Sequence, residues 1–183
     1  MSYNQPPPPG GFGSPQPGAY GAPQPRPAEL LDRFVARLID GILLAVVNFV
    51  IIGILVVGLF VSSGTSDTVE WIVGAIGTIV GVAISVGYYA FFETTSGQTL
   101  GKMAMKLKVV GPAGAPVTLE QSIKRNAFYL IGLLGVVPIV GLFSGLVQFA
   151  AYIFIAVTIS QDKQLRQGFH DKFANETYVM KLG

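Results

Sequence analysis

Long uncharged apolar runs alternate along this chain with short charged islands. Residues 41–61 form an uncharged run of 21, and residues 71–92 another of 22. At 1.5 Å per residue, either one as a helix crosses a hydrocarbon layer of about 30 Å. A third run, residues 126–160, holds 35 residues without a charge. As one helix it would reach about 50 Å, too far for a simple crossing. Pro138 sits inside it between Gly135 and Gly141. Proline removes a helical hydrogen bond, and its ring clashes with the preceding turn. A break there leaves a short arm, 126–137, and a long arm, 139–160. The predicted fold is all-α: a polytopic helical membrane protein with segments near 33–61, 71–92, 126–137 and 139–160, the last two a hairpin or re-entrant pair. Trp71 at one end of the second run, and Tyr88 and Tyr89 near the other, suit the headgroup boundary.

Charge placement agrees with a hairpin. Of the twelve basic residues, three precede the first run, five lie between the second and third, and four follow the third. The 62–70 link has none and carries Asp67 and Glu70. The positive-inside rule then puts both termini and the islands 93–125 and 161–183 in the cytoplasm. An even number of crossings must separate Arg125 from Lys163.

Composition removes several function classes. Charged residues are 12% of the chain, about half the share in a soluble domain. The absence of cysteine excludes a thiolate metal site and a cysteine nucleophile, and one histidine excludes a His-rich metal centre from this chain alone. A net charge of +2 is too small to argue for nucleic acid. No GxSxG or HExxH motif occurs, and no pair of aspartates lies in the apolar runs, so the chain reads as a non-enzyme without cofactor. Residues 1–28 are rich in proline and glycine. They read as a disordered tail with polyproline II tendency at Pro6–Pro9, ahead of a membrane domain over 29–183. Such a tail either docks a protein partner or is simply solvated.

Small residues recur at four-residue spacing at Gly77, Gly81 and Ser85, and again at Gly141 and Gly145. This spacing lets helix backbones approach, within one chain or in a homo-oligomer.

The candidate chemistry lies at the membrane edge. Arg33, Arg37 and Asp40 are spaced i, i+4, i+7 and share one helix face. Asp40 abuts the first apolar run, where a nearby guanidinium would favour its charged form. The C-terminal island carries Arg166, His170 and Asp171, which read either as a proton-handling pair with a basic neighbour or as hydrogen-bonded structure. In the middle island, residues 100–107 fit a short amphipathic helix, while 103–109 fit a strand alternating with Lys102, Lys106 and Lys108. Either form sets an apolar face beside lysines suited to anionic lipids. Gly111–Pro112 and Gly114 mark a turn.

Arg33 with Asp40 seven residues on, then SGQTLGKMAMKLKVV, then LRQGFHDKFANETYV, together resemble the RDD family of bacterial integral membrane proteins. The resemblance spans about residues 30 to 180. The family's arginine and first aspartate match Arg33 and Asp40, and its second aspartate best matches Asp171. The tail is similar to that of actinobacterial proline-rich antigens. The resemblance implies a bacterial inner-membrane location and a role in transport of an undefined ligand. It also implies that Arg33, Asp40 and Asp171 act together, as a charged cluster at the cytoplasmic mouth closed by residues 166–171. Two functions follow: a small or ion-coupled carrier using Asp40, and a membrane scaffold recruiting partners through its tail.

Overall fold

The computed structural model describes residues 24–63 and 66–183. The expected disorder of the tail up to residue 23 lies outside them. Among the described residues, three helices are long and apolar enough to cross a membrane: α1 (Leu30–Ser63), α2 (Asp67–Thr95) and α5 (Pro138–Gln161). Ser66 caps α2 by accepting from Val69 N. Between α2 and α5 lie α3 (Leu100–Ala104), β2 (Leu107–Val110), a tight turn at Pro112–Gly114, and α4 (Leu119–Asn126). Thr99 caps α3, and Thr118 with Gln121 forms a capping box on α4. The middle island is thus helix first and strand second, each of the two periodicities holding over its own half.

The chain breaks before Pro138. Val137 is extended, as a residue before proline prefers, and Pro138 opens α5, where its missing donor costs nothing. The short arm, Ala127–Val136, is not α-helical but a ten-residue 3-10 helix. At about 2.0 Å per residue it reaches about 20 Å, against about 15 Å for an α-helix of that length. It runs antiparallel to α2: Asn126 bonds Glu93 at one end, and Trp71 Nε1 donates to the Val136 carbonyl at the other (3.1 Å). Gly132 and Gly135 allow the approach, since a Cβ on Gly132 would meet Val82 at 3.0 Å. α5 then returns, and Phe169 N bonds Thr158 near its end. Both ends of the third run therefore lie at the same end of the molecule. Gly77 and Gly81 pack against Ile52 and Asn48 of α1, and Gly141 against Gly135, while Gly145 has no neighbour within 4 Å.

After α5 come α6 (Phe169–Phe173) and β3 (Tyr178–Lys181). A small sheet joins three distant parts of the chain in the order β1–β3–β2, both pairs antiparallel. β1 is Arg26–Pro27, with Arg26 opposite Lys181 and Pro27 opposite Met180; on the other side Leu107 faces Lys181 and Val110 faces Tyr178. The domain therefore starts three residues inside the segment read as tail. Proline is tolerated there because β1 is an edge strand, and the following Ala28 N bonds Val179 O. Ala28, Ala36, Leu107, Val109, Val117 and Val179 form a core under this sheet. Almost nothing in the three apolar helices is buried by protein, as expected where lipid is the solvent. Tyr88 and Tyr89, expected at the headgroups, turn inward instead: Tyr88 bonds Asp40, and Tyr89 is fully buried.

Gly101 of α3 leaves no room for a side chain against α1. A Cβ there would lie 2.1 Å from the Ala36 carbonyl oxygen and 2.9 Å from Asp40 Cγ. Gly101→Ala should lower the melting midpoint in detergent by the equivalent of about 1–3 kcal/mol, the usual range for overpacking. An unchanged midpoint would mean that α3 is not seated on α1.

Candidate functional site

Ionisable groups gather at the end of the bundle that carries the sheet, where helices leave the apolar layer. Burying a charge there is costly unless a partner and further hydrogen bonds compensate. The arrangement is an alternating chain of charges. Lys102 of α3 pairs with Glu93 of α2 (2.7 Å). Glu93 also accepts from Ser122 (2.7 Å) and Asn126 (3.0 Å) of α4. Arg125 of α4 reaches Glu93 at 3.6 Å and closes on Asp171 Oδ1 of α6 as an ion pair. Asp171 Oδ2 accepts from Arg33 of α1 (2.9 Å) and from Gly168 N (3.0 Å). Glu93 and Asp171 are fully shut from solvent. Five helices are held by this one chain.

Asp40 stands apart from it. Its oxygens accept from Tyr88 (2.7 Å), Thr99 (2.5 Å) and the Gly101 amide (2.7 Å). Asp40 thereby holds the cap and first turn of α3, and Arg37 is not its partner. Arg37 instead lies over the rings of Tyr89, Phe128 and Tyr129, at 4.4, 5.0 and 5.5 Å, and touches Asn126 Oδ1 at 3.3 Å. Its charge is met chiefly by the tyrosine faces, with Glu93 attracting it from beyond ion-pair distance. His170 Nε2 lies 3.5 Å from Asp171, while its Nδ1 has no partner among the described residues. Arg166 has positive φ and makes no ion pair among the described residues, although it is close enough to Arg33 to repel it.

Of the residues singled out in the sequence, Arg33, His170 and Asp171 thus come together, Arg37 and Asp40 lie beside them, and Arg166 stays at the margin. Glu93 and Arg125 are site residues that the sequence reading does not single out, and Lys102 is one that it assigns elsewhere. Both carry a signal, because Glu93 and Arg125 abut apolar runs as Asp40 does. Lys102 was read as a headgroup contact, but its stem and ammonium are buried against Glu93. Burial holds that ammonium below its ordinary value against the pull of Glu93.

Two cavities flank the charges. One, about 500 Å³, lies between α1 and α5 and is lined by Arg33, Arg37, Lys102, Arg125 and His170 with apolar neighbours. The other, about 530 Å³, lies within the apolar part and is lined by Asn48, Thr78, Ser85, Tyr129 and Gln148 among others. Tyr152 walls both.

The profile of the RDD family matches residues 27–175. The chain belongs to the RDD family. This RDD chain is also similar to "Uncharacterized protein YxaI" of Bacillus subtilis (strain 168), at 28% identity over 167 residues, covering 85% of this chain and 99% of that one. No solved structure matches it. The family arginine and second aspartate, read onto Arg33 and Asp171, are the ion pair that closes α6 onto α1. The first aspartate, read onto Asp40, seats α3.

Burial pushes the His170 ring down to about 3, outweighing the attraction of Asp171. Burial pushes the Asp171 carboxyl up, but Arg125, His170 and Arg33 outweigh it and hold the group below the ordinary range. Unfolded, His170 takes a proton near pH 6.5. As pH falls from about 6.5 toward about 3, the unfolded state therefore binds a proton that the folded state refuses, and stability drops by up to about 1.4 kcal/mol per pH unit. The contribution of Asp171 is present above about 3.9 and is lost only as pH falls further, through its lowered value. Between pH 6.5 and 4.5 the melting midpoint in detergent should fall, and His170→Gln should flatten that slope. An equal slope in both proteins would remove His170 as its source.

Proposed function

We propose that this RDD protein is a small non-enzymatic membrane carrier. It sits in a bacterial cytoplasmic membrane with its charged end and both termini inside. The sidedness is supported by the basic residues, none of which lies in the 62–70 link. One observation carries the transport reading: the two cavities follow one another along the bundle and share the Tyr152 wall. The inner one carries polar atoms at membrane depth, including Asn48 Oδ1, which is shut from solvent and has no hydrogen-bond partner among the described residues. Polar atoms left so in an apolar layer are costly and mark solute pathways. The layer between the cavities is Tyr129 and Tyr152, with Arg37 stacked on Tyr129. It is the natural place for a gate.

The alternative is a scaffold that recruits a partner through residues 1–23, anchored by β1 to the C-terminal strand. Exposed Lys106 would serve either function by holding anionic headgroups. Gly145, with open space beside it, offers the face on which a second copy would pack.

The test is flux of a cation panel into proteoliposomes of the full chain. The wild type should exceed empty vesicles, and Asn48→Leu, which fills the inner cavity with apolar volume, should lower flux at least tenfold. Flux equal to that of empty vesicles, with tail deletion (residues 2–23) abolishing partner capture, would replace the carrier by the scaffold. Equal flux in Asp40→Asn would confine Asp40 to seating α3.

A further inference from the structure

We propose that the cavity between α1 and α5 holds an anionic phospholipid of the surrounding bilayer, with its phosphate on the free edge of Arg33 and an acyl chain along α1. The proposal does not depend on whether a solute crosses the bundle.

The polar end is built by Arg33. Its side chain is only 9% exposed, and Nη1 is taken by Asp171. The other two donors, Nε and Nη2, are shut from solvent and have no hydrogen-bond partner among the described residues. These two nitrogens form the side-on fork of a guanidinium, the geometry that takes two oxygens of one phosphate or carboxylate. Buried donors of this kind are expensive unless met.

Charge balance points the same way. Arg33, Arg37, Lys102 and Arg125 line the cavity. Lys102 and Arg125 are committed to Glu93 and Asp171. Asp40 lines the cavity too, but its oxygens are occupied by Tyr88, Thr99 and Gly101. With Glu93 and Asp171 counted behind the wall, these four cations meet three carboxylates, Arg166 near Arg33 adds a further positive charge, and Arg37 has no carboxylate within ion-pair distance among the described residues. With His170 held neutral, the surplus is positive and a monoanion offsets it. A phosphodiester headgroup such as phosphatidylglycerol carries that charge, whereas the choline of phosphatidylcholine would add a cation beside Arg37.

The apolar end fits a chain from the bilayer. Phe34, Leu38 and Ile42 also line the cavity, are 60%, 51% and 60% exposed, and follow one another at i, i+4, i+8 on one face of α1. This stripe begins one residue after the Arg33 fork. Arg33 itself lies eight residues before the uncharged run at Gly41, about 12 Å of helix. That is the depth of headgroups rather than of the bilayer centre. A cavity of about 500 Å³ is within the usual range for small ligands, enough for the headgroup and the start of one chain.

The experiment uses the full chain in neutral detergent, titrated with phosphatidylglycerol, phosphatidylcholine, oleate or inorganic phosphate. Bound lipid is read by native mass spectrometry and stability by the melting midpoint. Phosphatidylglycerol should stay bound and raise the midpoint, phosphatidylcholine and phosphate should not, and oleate, whose carboxylate can also meet the fork, should do so more weakly. Arg33→Lys keeps a cation for Asp171 but loses the fork, and should raise the half-maximal lipid concentration at least tenfold. Ala45 is exposed on α1 and also lines the cavity, and Ala45→Phe fills that wall without replacing a charged group. It should weaken binding similarly while its lipid-free midpoint stays at the wild-type value, so the test survives if Arg33→Lys fails to fold. Equal binding of phosphatidylcholine, an equal effect of oleate or of phosphate alone, or wild-type affinity in Ala45→Phe would each overturn the proposal.

Discussion

A carboxylate carried to the point where a helix leaves the hydrocarbon has two options. It can give up its charge, or it can bring cations with it. Glu93 and Asp171 bring cations, and Arg125 lies between them as the shared one. Because Lys102 and Arg33 close the two ends, the charges alternate in sign and no like pair is adjacent along the chain. Each member sits on a different helix, so neutralising the charges and assembling the bundle are the same event. Such groups rarely add much net stability over apolar packing, since desolvation consumes most of the Coulomb gain. Their effect is to penalise every arrangement in which one partner is missing. In a bundle whose apolar helices meet lipid on most sides, that penalty fixes where α3, α4 and α6 must lie.

The long-range architecture was readable because the solvent imposes it. Uncharged runs of helical length, and a proline breaking the third, locate α1, α2 and α5 without knowledge of any contact. The distribution of lysine and arginine brings the two ends of the third run to the same side, as the contacts of Asn126 and Thr158 do. The 3-10 form of Ala127–Val136 was not readable. Gly132 and Gly135 weaken an α-helix in AFYLIGLLGV, but its composition does not single out a 3-10 helix, which here runs beside α2. The sheet was hidden for a similar reason: three strands of two to four residues, drawn from positions 26, 107 and 178, carry too little periodicity to pair on paper.

Within the site, Arg33 and Asp171 were visible through family resemblance, and their ion pair is a contact between residues 138 positions apart that no periodicity encodes. Asp40 was visible because it abuts an apolar run, but its partner was misread. A helical neighbour at i−3 looks available, yet Arg37 has three aromatic faces within reach. The Thr99–Gly101 turn supplies donors that fit Asp40 better. The lysines of the middle island looked alike in sequence. Only the fold separates Lys102, whose charge belongs to Glu93, from Lys106, which faces solvent. The cavity between α1 and α5 is lined by these charged groups themselves, and the second cavity lies in the apolar part, with Tyr152 walling both.

The dependence of the bundle on alternating charge is tested most directly by a double-mutant cycle at its α1–α6 end. Unfolding free energies would be measured in one detergent for Arg33→Met, Asp171→Asn and the pair. Asp171→Asn leaves the buried Arg33 charge unmet and should lose about 3–5 kcal/mol, while Arg33→Met leaves Asp171 with Arg125 as its remaining cation and should lose less. The double variant should lose clearly less than the two together, by about 1–3 kcal/mol of coupling. Losses that simply add would contradict the account, since Arg33 and Asp171 would then contribute to stability independently of each other.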